Sequence, residues 1–497
     1  MSNQVADATR AAAAAPGKTI FGQPRGLATL FLTEMWERFT YYGMRGVLIL
    51  CMVDSVARGG LGIDDKTANN AYGLYVGSTY LFGLLGGWIA DRLIGSQRAV
   101  IGGSLFIIAG NLMLTLGQTQ LFFLGLLVIA IGIGLLKPNC SAMVAALYPE
   151  GGARRDAGFS AFYMGINLGA LIGPILVGWF ATWLGYKWGF VLPAVGMAIG
   201  LTQFIWTRHY LGRAGVAAEG HRGSWTPIIV LALLVAAVAA AAMSGVLRIN
   251  AVTLASGASW AMGVLGLGYF IYLLFFAGLS AAERSRTLVM MALFAASVMF
   301  WAGYEQTGAS FNLFAERYTD RHIFGWDMPA SWLQAVDPLF VILFAPVFAA
   351  LWIALGRRGR DFNAAAKFGA GLILLGLGFL VMYCAAQYTL AGQRVLPTWL
   401  VLTYLLHCFA ELCLSPVGLS YFSKLAAPRF VGQVMGMWFL SMALGSNLAG
   451  QLSGQYDASH LESLPALFLK IFWYGVIAGG VMLLLTPLVK RMMAGVQ

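Results

Sequence analysis

The amino-acid sequence predicts an all-α polytopic membrane protein of about fourteen spanning helices, and three observations carry that prediction. Only 10% of the 497 residues are charged, against about 25% in soluble domains, too few to clothe a soluble fold of this size. The hydrophobic residues, 59% of the chain, gather into runs of roughly 20 or more, the length a helix needs to cross hydrocarbon. Backbone polar groups in lipid must be satisfied internally, and the ten-residue alternation of a membrane barrel is absent, so the runs read as helices.

The spans fall at about 28–53, 70–92, 98–117, 120–148, 156–183, 188–210, 225–247, 258–280, 287–316, 331–354, 366–390, 397–424, 429–451 and 463–490. A formal charge of +11 would suggest nucleic acid as the partner of a soluble protein. Here the basic residues are sorted by side. With residues near span ends counted in the adjoining loops, the side of the N-terminal tail holds twenty Lys and Arg, the opposite side eight, and three lie deep inside spans. The positive-inside rule then places both termini in the cytoplasm; the expected location is the cell's inner (plasma) membrane, with the lipid bilayer as partner and no nucleic acid.

Residues 1–27 form an Ala-rich polar tail with no signal-peptide pattern, since Asp7 interrupts the would-be basic region. Residues 28–210 hold six spans. Residues 211–286 hold an Ala-rich, uncharged pair of spans with their linkers, and residues 287–497 hold six more. The loop Gly87-Trp-Ile-Ala-Asp91-Arg92-Leu-Ile-Gly95-Ser-Gln-Arg98 follows the second span of the first six. Gly356-Arg357-Arg358-Gly359-Arg360 occupies the corresponding place in the last six. Two related six-helix halves with a midplane site between them are the plan of major facilitator transporters, and the first loop resembles that superfamily's loop signature. Glycine ladders at Gly165, Gly169 and Gly173, and at Gly83 and Gly87, mark close helix approaches, as moving contacts between elements or as static packing.

Charge inside a span is costly, at least about 2.5–3.5 kcal/mol per group by insertion scales, so each such residue requires a reason. At 100° per residue, Glu34, Glu37, Arg38, Tyr41 and Arg45 share one arc of about 100° on the first span, with Tyr42 at its edge. That stripe must line a cavity or meet another helix. Lys137 in the first half and Glu305, Asp337 and Glu411 in the second are the other intramembrane charges. Bases thus lie in the first half and three acids in the second, which favours pairing across a central cavity that opens when an acid is protonated. Lys137-Pro138, Asp337-Pro338 and Ser415-Pro416 put prolines beside these residues, breaks tolerated where water or protein lines the gap.

The motifs carry a family resemblance. Glu34-Met-Trp-Glu37-Arg38-Phe39-Thr-Tyr41-Tyr42-Gly43 resembles the span-one signature E-x-x-E-R-F-x-Y-Y-G of the proton-dependent oligopeptide transporters. Gly134-Leu-Leu-Lys137-Pro138-Asn139, Phe162-Tyr163-Met-Gly-Ile166-Asn167-Leu-Gly169, Phe300-Trp301-Ala-Gly-Tyr-Glu305-Gln306 and Glu411-Leu-Cys-Leu-Ser415-Pro416-Val-Gly418 are similar to four further motifs of that family, in its order and across nearly the whole chain. The two extra central spans resemble those of bacterial members.

The resemblance implies a symporter that imports di- and tripeptides with protons by alternating access, with the proton as coupling ion and no cofactor. It implies Arg45, Tyr42 and Lys137 at the peptide carboxylate and Glu411 and Asn167 at its ammonium, with Asp337 and Ser415 in the same site. Tyr80, Trp301 and Trp438 would line side-chain pockets. Glu34, Glu37, Arg38, Glu305 and Glu411 would serve proton coupling, and Arg45–Glu305 and Lys137–Glu411 would form gating salt bridges.

The chain departs from the family at Asp337, where an Asn-Pro is usual, and it has no histidine in its second span. His407 is one turn from Glu411 and reads as a structural residue, leaving proton coupling to carboxylates. The rival readings are drug export or anion uptake on the same fold, since fold alone does not fix a substrate. An enzyme is excluded on motif: neither H-E-x-x-H nor G-x-S-x-G occurs, and no metal-ligand spacing appears among the five cysteines. Ala12 to Thr19 fits a relaxed phosphate-loop pattern but lacks the preceding strand and the glycine-rich turn, so no nucleotide is expected.

Overall fold

A computed structural model describes residues 19–20, 22–149, 152–216, 224–246, 250–323, 325–358, 362–455 and 463–493. Most of the N-terminal tail, and Gly359 and Arg360 of the second basic loop, lie outside these residues. Long helices fall on all fourteen expected spans. They are α1 Arg25–Val53, α2 Asp65–Ile89, α3 Ser96–Leu114, α4 Thr119–Ala146, α5 Gly152–Leu184, α6 Tyr186–Thr207, α7 Thr226–Met243 and α8 Ala251–Phe275. The last six spans are α9 Ala281–Tyr304 with the short α10 Ser310–Tyr318, then α11 Val336–Arg357, α12 Ala364–Leu390, α13 Thr398–Leu425, α14 Val431–Ser453 and α15 Ser463–Met492.

Local chemistry sets several of the boundaries. Asp64, Asn250 and Asn363 each accept a backbone N–H three residues on, capping α2, α8 and α12. Ser280 and Glu283 form a reciprocal capping box at the start of α9. Gly185, at φ +93°, turns the chain between α5 and α6 in a conformation only glycine adopts without strain.

The first six helices pack as one bundle, with α1 against α5 and α6 and α4 against α2 and α3. The last six form another, with α12 against α13 and α15 and α9 against α14. The bundles meet along α2 and α14, and again where α5 meets α11 and the 3-10 turn Ala330–Ala335 before it. The two inserted helices differ in their attachments. α7 touches α4 and, through Ile228, Gly102 of α3, and Ala242 is its one buried residue. α8 packs on α2, α9 and α14, and Asn447 and Gln451 of α14 donate to its Ala255 carbonyl and Ser259 hydroxyl at 2.7–3.1 Å. By length and composition eleven of the described helices suffice to cross a membrane; α1, α2 and α14 are not among them. These three carry the charged stripe and the contact between bundles, so polarity on their inner faces lowers their hydropathy.

The glycine ladders resolve unequally. Gly165, Gly169 and Gly173 bring α5 against α1 within one bundle, and a Cβ on Gly169 would meet the Met35 carbonyl oxygen. They are static packing. Gly83 has open space around it and Gly87 only ordinary contact with Pro138, so the expected second ladder is not a close approach. The tight crossing on α2 is instead Gly86 on the Gly134 carbonyl. Between bundles the small residues are Gly73 against Gly450 and Gly77 against the Ala443 carbonyl, positions the sequence reading did not single out.

The breaks differ from expectation as well. Pro138 and Pro416 lie inside continuous α4 and α13, while Pro338 sits in the first turn of α11, where its missing N–H is no loss. The discontinuity at midplane is the 3-10 turn Glu305–Gly308 between α9 and α10, with no proline in it.

Candidate substrate and proton site

Between the bundles lies a cavity of about 260 Å³. Its first-bundle wall includes Arg38, Tyr42 and Arg45 of α1, Tyr80 of α2, Lys137 of α4, and Tyr163 and Asn167 of α5. Its second-bundle wall includes Trp301 and Tyr304 of α9, Glu305 and Thr307 of the turn after it, Gln334 and Asp337, and Tyr404, Glu411 and Ser415 of α13. Bases thus face acids across a gap lined by tyrosines. A smaller crevice of about 130 Å³ between α2, α4 and α8 is lined chiefly by Leu and Ala and has no such charge pattern.

Arg45 is the most heavily engaged base. Its Nη2 lies 2.6 Å from Glu305 Oε2 and 3.1 Å from Thr307 Oγ1, and its Nε donates to the Tyr72 hydroxyl. The Tyr41, Tyr42 and Tyr72 rings surround the guanidinium at 5.6–6.0 Å, each in reach of a cation–π contact. Arg45 and Glu305 are both almost fully buried, so a charge on either depends on the other. Glu305 can reach Arg45 because it opens the 3-10 turn, where the helix ends and its carboxyl is aimed at the opposite bundle.

The other members of the α1 stripe form a triad within that helix. Arg38 pairs with Glu34 at 3.2 Å and, more closely, with Glu37. Arg38 reaches the cavity, whereas Glu34 and Glu37 stand behind it, buried and off the lining. The stripe, expected to line a cavity or meet another helix, lines it only in part: Arg38, Tyr42 and Arg45 reach the cavity, while Glu34, Glu37 and Tyr41 are buried off its lining.

Two further expectations are corrected. The Lys137–Glu411 bridge is not formed in this conformation. Lys137 lies 5.0 Å from the Tyr80 ring, and the Glu411 carboxyl accepts the Tyr304 hydroxyl at 2.7 Å. The cavity separates α4 from α13 at this level, so the two side chains line opposite walls. Trp438 does not line the cavity. It is 2% exposed and packed on Gly418, Phe368 and Phe422 inside the second bundle. The other two aromatic residues expected there, Tyr80 and Trp301, do line the cavity, with rings 6.4 Å apart across the bundle boundary.

Tyr304 was missed by the sequence reading, although it sits one residue before Glu305. Its hydroxyl bonds Asp337 as well as Glu411, each at 2.7 Å. Tyr72, Thr307, Gln334 and Tyr404 are further cavity or Arg45 contacts that the sequence reading did not single out, being uncharged themselves. Several buried polar atoms on the lining lack a protein partner: Trp301 Nε1, Gln334 Nε2, Asp337 Oδ1 and Tyr404 Oη. Buried polar groups are normally paired, so these atoms suit a polar ligand or water. His407 is fully buried off the lining, among the rings of Tyr304, Phe311 and Phe379.

At the end of the bundles away from the start of α1, the contact is closed. Arg317 of α10 makes a two-pronged bond to Asp65 at the start of α2, at 2.6 and 2.8 Å. Asn312 donates to the Gly46 carbonyl, Ser331 to Pro174 and Trp332 to Ile175. These residues all lie on one side of Arg45–Glu305 and join the two bundles.

Comparison with known proteins agrees with this architecture. A sequence model described as the POT family matches residues 97–468. Peptide transporter YePEPT of Yersinia enterocolitica is 41% identical, with 97% of each chain aligned. A di-/tripeptide transporter of Lactococcus lactis subsp. cremoris is 32% identical over 97% of this chain and 98% of its own. The crystal structure of a peptide transporter POT in complex with alafosfalin superposes with a TM-score of 0.88 at 39% identity, covering 98% of this chain and 99% of that one. Motifs, fold and full-length similarity agree, and the chain belongs to the POT family.

Proposed function

We propose that the protein is a proton-coupled symporter that imports di- and tripeptides by alternating access. In this reading it sits in the inner membrane with both termini in the cytoplasm, and residues 28–210 and 287–497 move against each other. The observation that carries the reading is the cavity's division into a basic wall on one bundle and an acidic wall on the other. A short peptide has a carboxylate and an ammonium at a limited separation, and such a cavity recognises both ends while leaving side chains free. Arg45, Lys137 and Tyr42 would take the carboxylate. Glu411, Asn167 and Asp337 would take the ammonium, with Tyr80, Trp301 and Ser415 beside the side chains.

The Arg45–Glu305 pair supports a coupling scheme. Substrate carboxylate at Arg45 competes with Glu305 for the guanidinium, and a Glu305 so deprived of its partner binds a proton. Peptide and proton then favour each other's binding, as symport requires. With α1 starting in the cytoplasm, the bonds from Arg317, Asn312, Ser331 and Trp332 close the outer end. Loss of the Arg45–Glu305 pair on protonation removes one bond between the bundles and favours outer opening.

The test is uptake of a labelled dipeptide into proteoliposomes with and without an inward proton gradient. Accumulation above the external concentration only with the gradient is expected. Gradient-independent equilibration, or no dipeptide uptake at all, would overturn the reading.

A further inference from the structure

The ammonium end of the cavity holds one more acid than the family pattern requires, and the hydrogen-bond geometry there limits its charge. Tyr304 Oη lies 2.7 Å from Asp337 Oδ2 and 2.7 Å from Glu411 Oε2. Both separations are hydrogen-bond lengths, and each bond needs a hydrogen between its two oxygens. An ionised carboxylate only accepts, and a phenol has one hydrogen to give. Two bonds among these three acidic groups therefore require two hydrogens, wherever they reside. With both hydrogens in place the trio would carry a net charge of −1, one proton more than a neutral tyrosine between two carboxylates has. Asp337 Oδ1 and Tyr404 Oη, both buried and without a protein partner, stand at the same end of the cavity, and Tyr404 is 1% exposed.

We infer that Asp337, Tyr304 and Glu411 form a second proton-binding site, distinct from Arg45–Glu305, in which two carboxyls share one proton through the tyrosine hydroxyl. The inference rests on the peptide-transport reading for its ligand. The groups that face the trio are Arg45 and Tyr42 from α1, Lys137 from α4, Tyr163 and Asn167 from α5, Glu305 from the turn after α9, Gln334 before α11, and Tyr404 from α13. The His407 ring lies 6.2 Å from Tyr304.

The linkage sign at this site opposes that at Glu305. A peptide ammonium beside the trio stabilises its doubly charged form, so binding promotes release of the shared proton, whereas carboxylate binding at Arg45 promotes proton uptake by Glu305. No covalent step is involved: the proton leaves one carboxyl oxygen for water, and the ammonium N–H groups take its place as donors to the two carboxylates.

Dipeptide affinity of the purified transporter, measured across pH in a Glu305→Gln background, isolates the site. Affinity is expected to rise with pH, by up to about tenfold per unit for one released proton, and the rise is expected to vanish on adding Asp337→Asn, the residue usual in the resembled family. A pH-independent affinity in the Glu305→Gln protein, or a rise that survives Asp337→Asn, overturns the inference. Failure of the wild type to bind any dipeptide would instead overturn the transport reading. A second measurement needs no peptide. The infrared carbonyl band of protonated carboxyls in the substrate-free protein should lose intensity in Asp337→Asn and shift in Tyr304→Phe. Unchanged bands in both variants would equally refute the shared proton.

Discussion

Arg45 and Glu305 meet at 2.6 Å across the boundary between the two bundles, on segments 260 residues apart in sequence, and both are almost wholly buried. The guanidinium also holds Thr307 and Tyr72, so one side chain of α1 ties together α2 and the turn between α9 and α10. Breaking a buried pair on one side leaves an uncompensated charge, at a cost of about 3–5 kcal/mol where nothing rearranges. Arg45→Ala is therefore expected to lower dipeptide affinity by well over tenfold. Arg92→Ala, exposed on the π-helical turn Ala90–Ile94 that continues α2, should leave it within about twofold. Isothermal titration of both variants checks the difference, and equal affinities would remove Arg45 from the site.

Glu305→Gln imitates the protonated carboxyl. It should still exchange labelled for unlabelled dipeptide across a proteoliposome membrane with no gradient, yet lose accumulation driven by protons. If the variant concentrates peptide with the wild-type dependence on the proton gradient, the coupled proton resides elsewhere, with the Glu34–Arg38–Glu37 triad the next place to look.

In the proposed orientation the Arg317–Asp65 bond closes the outer end; it is partly exposed, with side chains 26% and 12% accessible, so its contribution is on the order of 1 kcal/mol. Arg317→Ala should shift the conformational balance several-fold toward outer opening. A cysteine replacing Ala170 on the cavity wall, in a background without other cysteines, reports this through its labelling rate by an impermeant thiol reagent added outside. An unchanged rate would show that this bond does not hold the outer end.

Gly169 and Gly83 look equivalent in sequence and are expected to behave differently. A methyl group at Gly169 meets the Met35 carbonyl and the Phe39 backbone nitrogen, and overpacking of that kind costs about 1–3 kcal/mol. Gly169→Ala should lower the melting temperature in detergent, and Gly83→Ala, with open space around it, should not. Similar melting temperatures for the two variants would refute the packing assignment.

Trp301 and Trp438 divide in the same way. Trp301→Phe alters the cavity wall and should change the ranking of dipeptides that differ in side chain. Trp438→Phe touches only the second bundle's interior and should cost stability without altering that ranking. Competition assays with a dipeptide series distinguish them, and a changed ranking in Trp438→Phe would place that ring at the site after all.

The sequence by itself determined the class, the number of spans and most of the charged groups of the cavity. These are legible because lipid makes composition informative: apolar runs must be helices, and a charge inside one must face something other than lipid. Helical periodicity put Arg38 and Arg45 on one arc, and the segregation of bases and acids between halves pointed to a shared cavity. Which groups touch was decided only by tertiary structure. Periodicity gives a direction from one helix axis but no distance to another, so it could not tell that Arg38 screens Glu34 and Glu37 from the cavity. Nor could it tell that Lys137 and Glu411 stand apart on opposite walls, or that Trp438 turns into its own bundle. Tyr304 was invisible for a related reason. A tyrosine in an apolar span is unremarkable until the fold brings two carboxyls from α11 and α13 to its hydroxyl, and that meeting depends on how three helices pack.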